Sequence, residues 1–228
     1  MTETSAAARR RLPAAVLGAL LGALVLALGW FAAPEARAQQ PGELAVIGHV
    51  TRVQGNGLVL RGTREFKAEP KLTLARRDVL KTAAGARLLV TFEDGSQFTV
   101  GENAEVVLDD FLYKPRRRNG VILLDVIKGA FRFTTGKLGQ LTDKRIEVHL
   151  PAASLAVRGT DFWGGPMDRA TGVLLIDGEV EVRNAAGVVI LSDTYAGTMV
   201  GGRFSAPDRP VTWGREKINR AIASISFR

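Results

Sequence analysis

From residue 44 to residue 200 the chain is a succession of short apolar and β-branched runs, most of them closed by glycine, and that punctuation favours strands over any other element. Only Gly18, Gly22 and Gly29 of its 25 glycines precede residue 39, so the remainder is glycine-rich against an average near 7%. The plainest unit is the run 86–92, the turn Glu93-Asp94-Gly95-Ser96 and the run 97–100. Leu88, Val90 and Phe92 alternate onto one face, with Arg87, Leu89 and Thr91 on the other. Asp94-Gly95 supplies the positive φ angles of a tight hairpin. The same grammar recurs over 121–133 around Lys128-Gly129 and over 172–183 around Asp177-Gly178. Three such units make a weak internal repeat, read as stacked strand layers. Gly55-Asn56-Gly57, between 44–53 and 58–61, marks a further hairpin, and 146–150, 155–157, 188–191 and 198–200 complete the β region.

Helical periodicity is confined to the tail, where Ile218, Ile222 and Ile225 recur at i, i+4 and i+7 within 216–226. A helix of about three turns is marginal alone, so docking on its own domain is expected. The alternative is contact with a membrane surface or a partner through Trp213 and Phe227. Residues 114–120, with Lys114, Arg116, Arg117 and Arg118, read as an exposed solvated loop, and phosphate-bearing lipid is the sharper alternative.

The first 38 residues differ from the rest. Arg9-Arg10-Arg11 precedes an uncharged stretch, 12–33, and Ala36 and Ala38 form an A-x-A site. This is the pattern of an export signal cut between Ala38 and Gln39. The stretch exceeds the usual apolar core of roughly 7–15 residues, so an uncleaved anchor is the alternative. Either outcome puts the body outside the cytoplasm, because the positive flank stays inside: periplasmic or secreted if cut, anchored in the inner membrane and facing the periplasm if not. The arginine block is also compatible with twin-arginine export. The expected organisation is a leader 1–38, a β domain 39–205 and a tail 206–228 bearing the short amphipathic helix.

Composition removes whole classes of chemistry. With no cysteine in 228 residues there is no disulfide scaffold, cysteine zinc site or thiol nucleophile. The two histidines, His49 and His149, stand on separate runs with no Ser or Asp placed to form a triad. Glu93-Asp94 and Asp109-Asp110 point to opposite faces if extended, and Glu179 and Glu181 read as solvated strand residues. No catalytic residue, metal site or cofactor is expected. The net charge of +8 would suggest nucleic acid in another compartment; after export it reads as solvated strand faces. Trp163 reads as a core or edge aromatic, with a sugar-stacking platform as the alternative.

Five segments in order resemble the FecR domain family, named for the ferric-citrate regulator of bacterial envelopes. They are Asp78-Val79-Leu80-Lys81-Thr82 followed by Gly85-Ala86-Arg87; Asp94-Gly95-Ser96; Lys128-Gly129-Ala130-Phe131-Arg132-Phe133; the run from Pro151 through Arg158-Gly159-Thr160 to Phe162; and 173–182 with Gly178. The resemblance spans about 46–200 and implies an all-β envelope module. The implied fold is a β-solenoid-like roll, or alternatively a twisted β-sandwich, with the short helix following. The regulators that name the family carry a cytoplasmic sigma-factor-binding segment before a membrane helix, and a receptor-contacting domain after the FecR domain. With eleven residues before the apolar stretch, neither addition is expected here.

The family-motif residues Asp78, Thr82, Gly85, Asp94, Gly95, Ser96, Gly129, Arg158, Gly159, Thr160, Phe162 and Gly178 are read as structural. Arg158 is expected to cross-link layers by pairing with a carboxylate such as Asp78 or Asp161, the alternative being a ligand-contacting arginine on a turn. The expected function is a non-enzymatic binding module that engages a protein or a cell-envelope polymer in sensing or signalling. A carbohydrate- or peptidoglycan-binding module is the second expectation. No nucleic-acid partner is expected, and membrane contact would come through an uncleaved leader or the helix.

Overall fold

The computed structural model describes residues 45–228, so the leader and the Ala38-Gln39 junction lie outside the described residues. The strands are β1 (Val46–Gln54), β2 (Gly57–Arg61), β3 (Arg64–Lys67), β4 (Thr73–Ala75), β5 (Val79–Thr82), β6 (Arg87–Phe92), β7 (Gln97–Val100), β8 (Glu105–Lys114), β9 (Asn119–Lys128), β10 (Phe131–Thr134), β11 (Asp143–His149), β12 (Ser154–Met167), β13 (Ala170–Asn184), β14 (Gly187–Leu191), β15 (Ala196–Val200) and β16 (Val211–Thr212). Among the described residues two 3-10 turns, Pro115–Arg117 and Lys137–Gln140, precede β9 and β11, and one helix, α1, spans Arg215–Ile225.

The hydrogen-bonded order is β3-β2-β5-β8-β9-β11-β12-β10-β7-β6-β1-β4, with β13 joining β12 to β14 and β15, and β16 beyond β15. β2 is second and β1 eleventh in that order, yet only Gly55 and Asn56 separate them in the chain. A flat sheet would hold them about 43 Å apart at roughly 4.8 Å per strand, so the sheet must curl until its ends approach. The same observation overturns the hairpin expected at Gly55-Asn56-Gly57: β1 pairs with β4 and β6, and β2 with β3 and β5.

The all-β expectation is met. The solenoid-like roll is not what the ladders display, because a solenoid stacks parallel coils and, among the described residues, the β9–β11 ladder alone is parallel. Two separately packed sheets are not displayed either, since the hydrogen-bonded path is continuous. The fold is one curled, mixed sheet closing on its own apolar face. Leu80, Val106 and Leu124 enter the core from one arm, and Leu88, Phe98 and Phe131 from the other, with Phe162 between Phe131 and Phe133. Each such buried side chain contributes about 1.5–3 kcal/mol.

Identical sequence grammar has three structural outcomes. Around Asp94-Gly95, β6 and β7 form the expected hairpin, with Val90 opposite Phe98. Around Gly129, β9 and β10 do not pair; β9 lies between β8 and β11, and β10 between β7 and β12. Residues 172–183 lie within the single strand β13, which bends at Gly178 (φ +89°) against Gly159 of β12 (φ +64°), where the register slips. A Cβ at Gly178 would stand 2.3 Å from the Gly159 carbonyl oxygen, so only glycine permits the bend.

α1 docks on its own domain, as its periodicity predicts. Ala221 and Ile225 pack with Trp163, Met167, Leu174 and Trp213 in a second apolar cluster. Trp163 Nε1 donates to Ser224 Oγ at 2.9 Å, and Arg220 bonds Asp168 at 2.8 Å. Trp163 is fully buried, which settles it as a core aromatic rather than a sugar platform. Among the described residues no helix is long and apolar enough to cross a membrane.

Candidate functional site

The motif side chains divide sharply by environment. Asp78 is fully buried just before β5, where Arg61 of β2 grips it through Nε–Oδ1 at 2.8 Å and Nη2–Oδ2 at 2.7 Å. The Ala75 N–H donates to the same carboxylate at 2.9 Å. The hydrogen bond to Asp78 holds the Arg61 guanidinium above its ordinary pKa, against the opposing effect of desolvation. Asp94, also fully buried, accepts from Ser96 N–H at 3.0 Å, Ser96 Oγ at 2.6 Å and Leu138 N–H at 3.1 Å. Ser96 Oγ in turn accepts the Gly136 N–H at 2.8 Å, so the Asp-Gly-Ser turn is tied to the second 3-10 turn.

Thr82 and Thr160 act alike at two other corners. Thr82 Oγ1 donates to Gly101 O at 2.6 Å and accepts Ala104 N–H at 2.9 Å. Thr160 Oγ1 donates to Glu179 O at 2.7 Å beside the β12–β13 bend. A buried polar group without a partner costs about 1–3 kcal/mol, so each of these bonds keeps its corner closed. Gly85, Gly95 and Gly129 have φ of +70°, +83° and +94°, and Phe162 is fully buried.

Arg158 does not belong to this interior. Its side chain is 70% exposed and meets Glu179 Oε1 through one 3.2 Å bond. Asp78 is taken by Arg61, and Asp161 by Arg132 through Nε at 2.8 Å and Nη2 at 2.5 Å. The expected cross-links exist, but two other arginines make them. The reason is register: Arg158 lies opposite Glu179 on the outer side of β12 and β13, while its neighbour Val157 takes the core side.

That outer side gathers further charge. The parallel β9–β11 register sets Asp125 beside His149, and the β11–β12 register sets Ser154 opposite it. His149 Nδ1 is 2.8 Å from Asp125 Oδ1, and Nε2 is 3.2 Å from Glu147 Oε2. Arg145 donates Nε and Nη2 to the two Glu147 oxygens at 2.9 and 3.0 Å. The Arg145 hydrogen bond holds the Glu147 carboxyl below its ordinary pKa; burial opposes this and His149 adds to it. The sequence placed no Asp near either histidine; Asp125 reaches His149 because a parallel ladder joins residues 24 apart. Both ring nitrogens face carboxylates, so Ser154 is not the imidazole's partner. Where β11 and β12 part, a cleft of about 460 Å³ is lined by Thr142, Lys144, Arg145 and Arg158, with Gly139 and Gly159.

Residues 78–181 match the family model described as FecR protein. They form a FecR domain. The match opens at buried Asp78 and closes at Glu181 on β13, so it contains the buried motif carboxylates and most of the charged outer side. Two crystal structures of a candidate anti-sigma factor from Parabacteroides distasonis ATCC 8503, at 1.65 and 2.50 Å resolution, are similar in fold. In both the identity is 17%, the TM-score is 0.50, and the likeness covers 62% of this chain and 62% of that one. The chain therefore spans less than two thirds of that protein's length. No curated protein matches it.

Within the FecR domain the sequence singled out Asp78 but not its partner Arg61, which lies outside the matched span and 17 residues away. Arg132 carried a legible signal: it alternates between Phe131 and Phe133, both fully buried, so its side chain must leave the core face. The adjacent carboxylates do not converge. Asp94 is buried and Glu93 exposed, while Asp110 pairs with Arg76 at 3.1 Å.

Proposed function

We propose that the chain is a non-enzymatic interaction module of the bacterial cell envelope, acting in sensing or signalling by binding a protein. The FecR domain and the anti-sigma description of the structural neighbours support a regulatory role. One observation carries the reading: the polar motif side chains are buried and bonded within their own chain, whereas the exposed ones form a charged sheet face. In this reading Asp78, Thr82, Gly85, Asp94, Gly95, Ser96, Gly129, Gly159, Thr160, Phe162 and Gly178 are scaffold. Arg145, Glu147, Arg158 and Glu179 are the recognition surface, and interleaved charge of both signs suits a complementary protein face. The β domain occupies 39–205 and the docked tail 206–228. Export through a leader cut between Ala38 and Gln39 delivers it to the periplasm, an uncut leader anchoring it to the inner membrane on that same side.

A second reading, binding of a cell-envelope polymer, is favoured by the cleft beside Arg145 and Arg158. The burial of Trp163 weakens it, since that ring is not available to stack on sugar.

The two are separated by crosslinking residues 39–228 in envelope extract and, in parallel, sedimenting them with purified sacculi. The expected result is a protein captured by the native chain and lost from Arg145→Glu/Arg158→Glu, with the all-β fold of the variant retained by circular dichroism. Co-sedimentation with sacculi and no captured protein would move the function to the polymer.

A further inference from the structure

The free edges of the sheet are not defended alike. Among the described residues β3 pairs only with β2 and reads Arg64-Glu65-Phe66-Lys67, three charges in four residues; β4 has three residues and β16 has two. Charge and brevity are the usual means by which an edge avoids accepting another strand. β14 has neither. Among the described residues it pairs only with β13; it reads Gly187-Val188-Val189-Ile190-Leu191 and leaves Val188 57% and Ile190 51% exposed.

Register identifies which main-chain groups β14 leaves free. Ala185 and Ala186 alone separate Asn184 from its partner Gly187, so this closing pair is hydrogen-bonded, and the bonded and unbonded pairs alternate from it. Val182–Val189 and Val180–Leu191 exchange bonds, whereas Arg183–Val188 and Glu181–Ile190 do not. The N–H and C=O groups of Val188 and Ile190 therefore point away from β13. Among the described residues no backbone hydrogen bond reaches them from any loop. The segment after β15 approaches this edge at Gly187, whose Cβ position lies 3.2 Å from Ala206, and Val188 and Ile190 still stand more than half in water.

We propose that β14 is a self-association edge, on which a second copy of this chain lays its own β14 antiparallel. About a two-fold axis through Val189, Val188 of each copy faces Ile190 of the other. The two outward N–H groups of each strand then meet the outward carbonyls of its mate. Along each row Arg183 and Val188 of one copy continue into Ile190 and Glu181 of the second, so apolar meets apolar and opposite charges flank the pair. Any extended strand could satisfy the main chain; this self-complementary pattern of side chains selects a second copy. The inference does not rest on the outer-face reading.

A ladder this short makes a weak, concentration-dependent contact, so a covalent trap is the appropriate test. The chain has no cysteine, and Val189→Cys introduces a single thiol. The axis makes Val189 face its own copy in a pair without hydrogen bonds, which brings the two Cβ atoms within disulfide reach. The full-length variant is oxidised in intact envelopes and resolved without reductant. A band of doubled mass is expected, and it should disappear when Val188→Lys and Ile190→Lys are added, with folding checked by an unchanged melting temperature. Three results overturn the proposal: a folded Val189→Cys chain that stays monomeric, a disulfide to a different protein, or a doubled band that survives the lysine pair.

Discussion

Arg61–Asp78 and Arg158–Glu179 are both arginine–carboxylate pairs between neighbouring parts of the sheet, yet the first carboxylate is fully buried and the second pair stands in water. At Asp78 the chain must replace the whole hydration shell, and Arg61 and the Ala75 N–H do so with good geometry. At Arg158 water competes with Glu179 at every moment, and a single 3.2 Å contact adds little. The same two functional groups are thus a structural bracket in one place and an available surface in the other. What differs is the access of solvent, and that is set by which face of the strand each residue occupies.

Asp78→Ala should break the comparison most severely. It strands Arg61 and the Ala75 N–H and should lower unfolding free energy by about 3–5 kcal/mol in a urea titration; a loss below 1 kcal/mol would refute the bracket. Next comes Gly178→Ala, which forces φ +89° on a residue with a Cβ and drives it into Gly159. It should cost about 1–3 kcal/mol from the backbone alone, with additional loss from the clash. Arg158→Ala should cost under about 1 kcal/mol, leaving the melting curve nearly unmoved while partner capture falls.

The smallest effect belongs to Glu147 and depends on pH. Its pKa lies below the ordinary 4.5 because Arg145 bonds the ionised form, so the pair stabilises the fold fully above that value. The contribution is lost as pH falls through the lowered pKa. Stability of the native chain minus that of Glu147→Gln, measured from pH 7 downward, should hold level to about pH 5 and then shrink. A difference that grows on acidification would mean the carboxyl is held in its neutral form.

Much of the scaffold was legible residue by residue. Alternation of Leu88, Val90 and Phe92 named the core face, Asp94-Gly95 named a hairpin, and the spacing of the tail isoleucines named a helix that had to dock. These signals are local: side-chain period and turn chemistry act over a few residues. The partners of those elements were not legible. Gly129 and Gly178 sit in the same grammar as Gly95, yet one lies in a crossing and the other in a bend within a single strand, because only the neighbouring strands decide whether a glycine corner closes a hairpin. Arg158 meets Glu179 rather than Asp78 or Asp161 for the same reason. Its candidate carboxylates are claimed by Arg61 and Arg132, 17 and 29 residues from them.

Residue order alone determined that this chain is built of strands, where its corners fall, and which apolar side chains of its clearest strand face the core, since those properties follow from steric preference and the two-residue period of a strand. The curled order of the strands, the Asp125–His149–Glu147–Arg145 row and the unguarded edge at β14 were decided by tertiary structure. Pairing between distant strands depends on which edges remain open once the core has closed, and no short stretch of sequence carries that information.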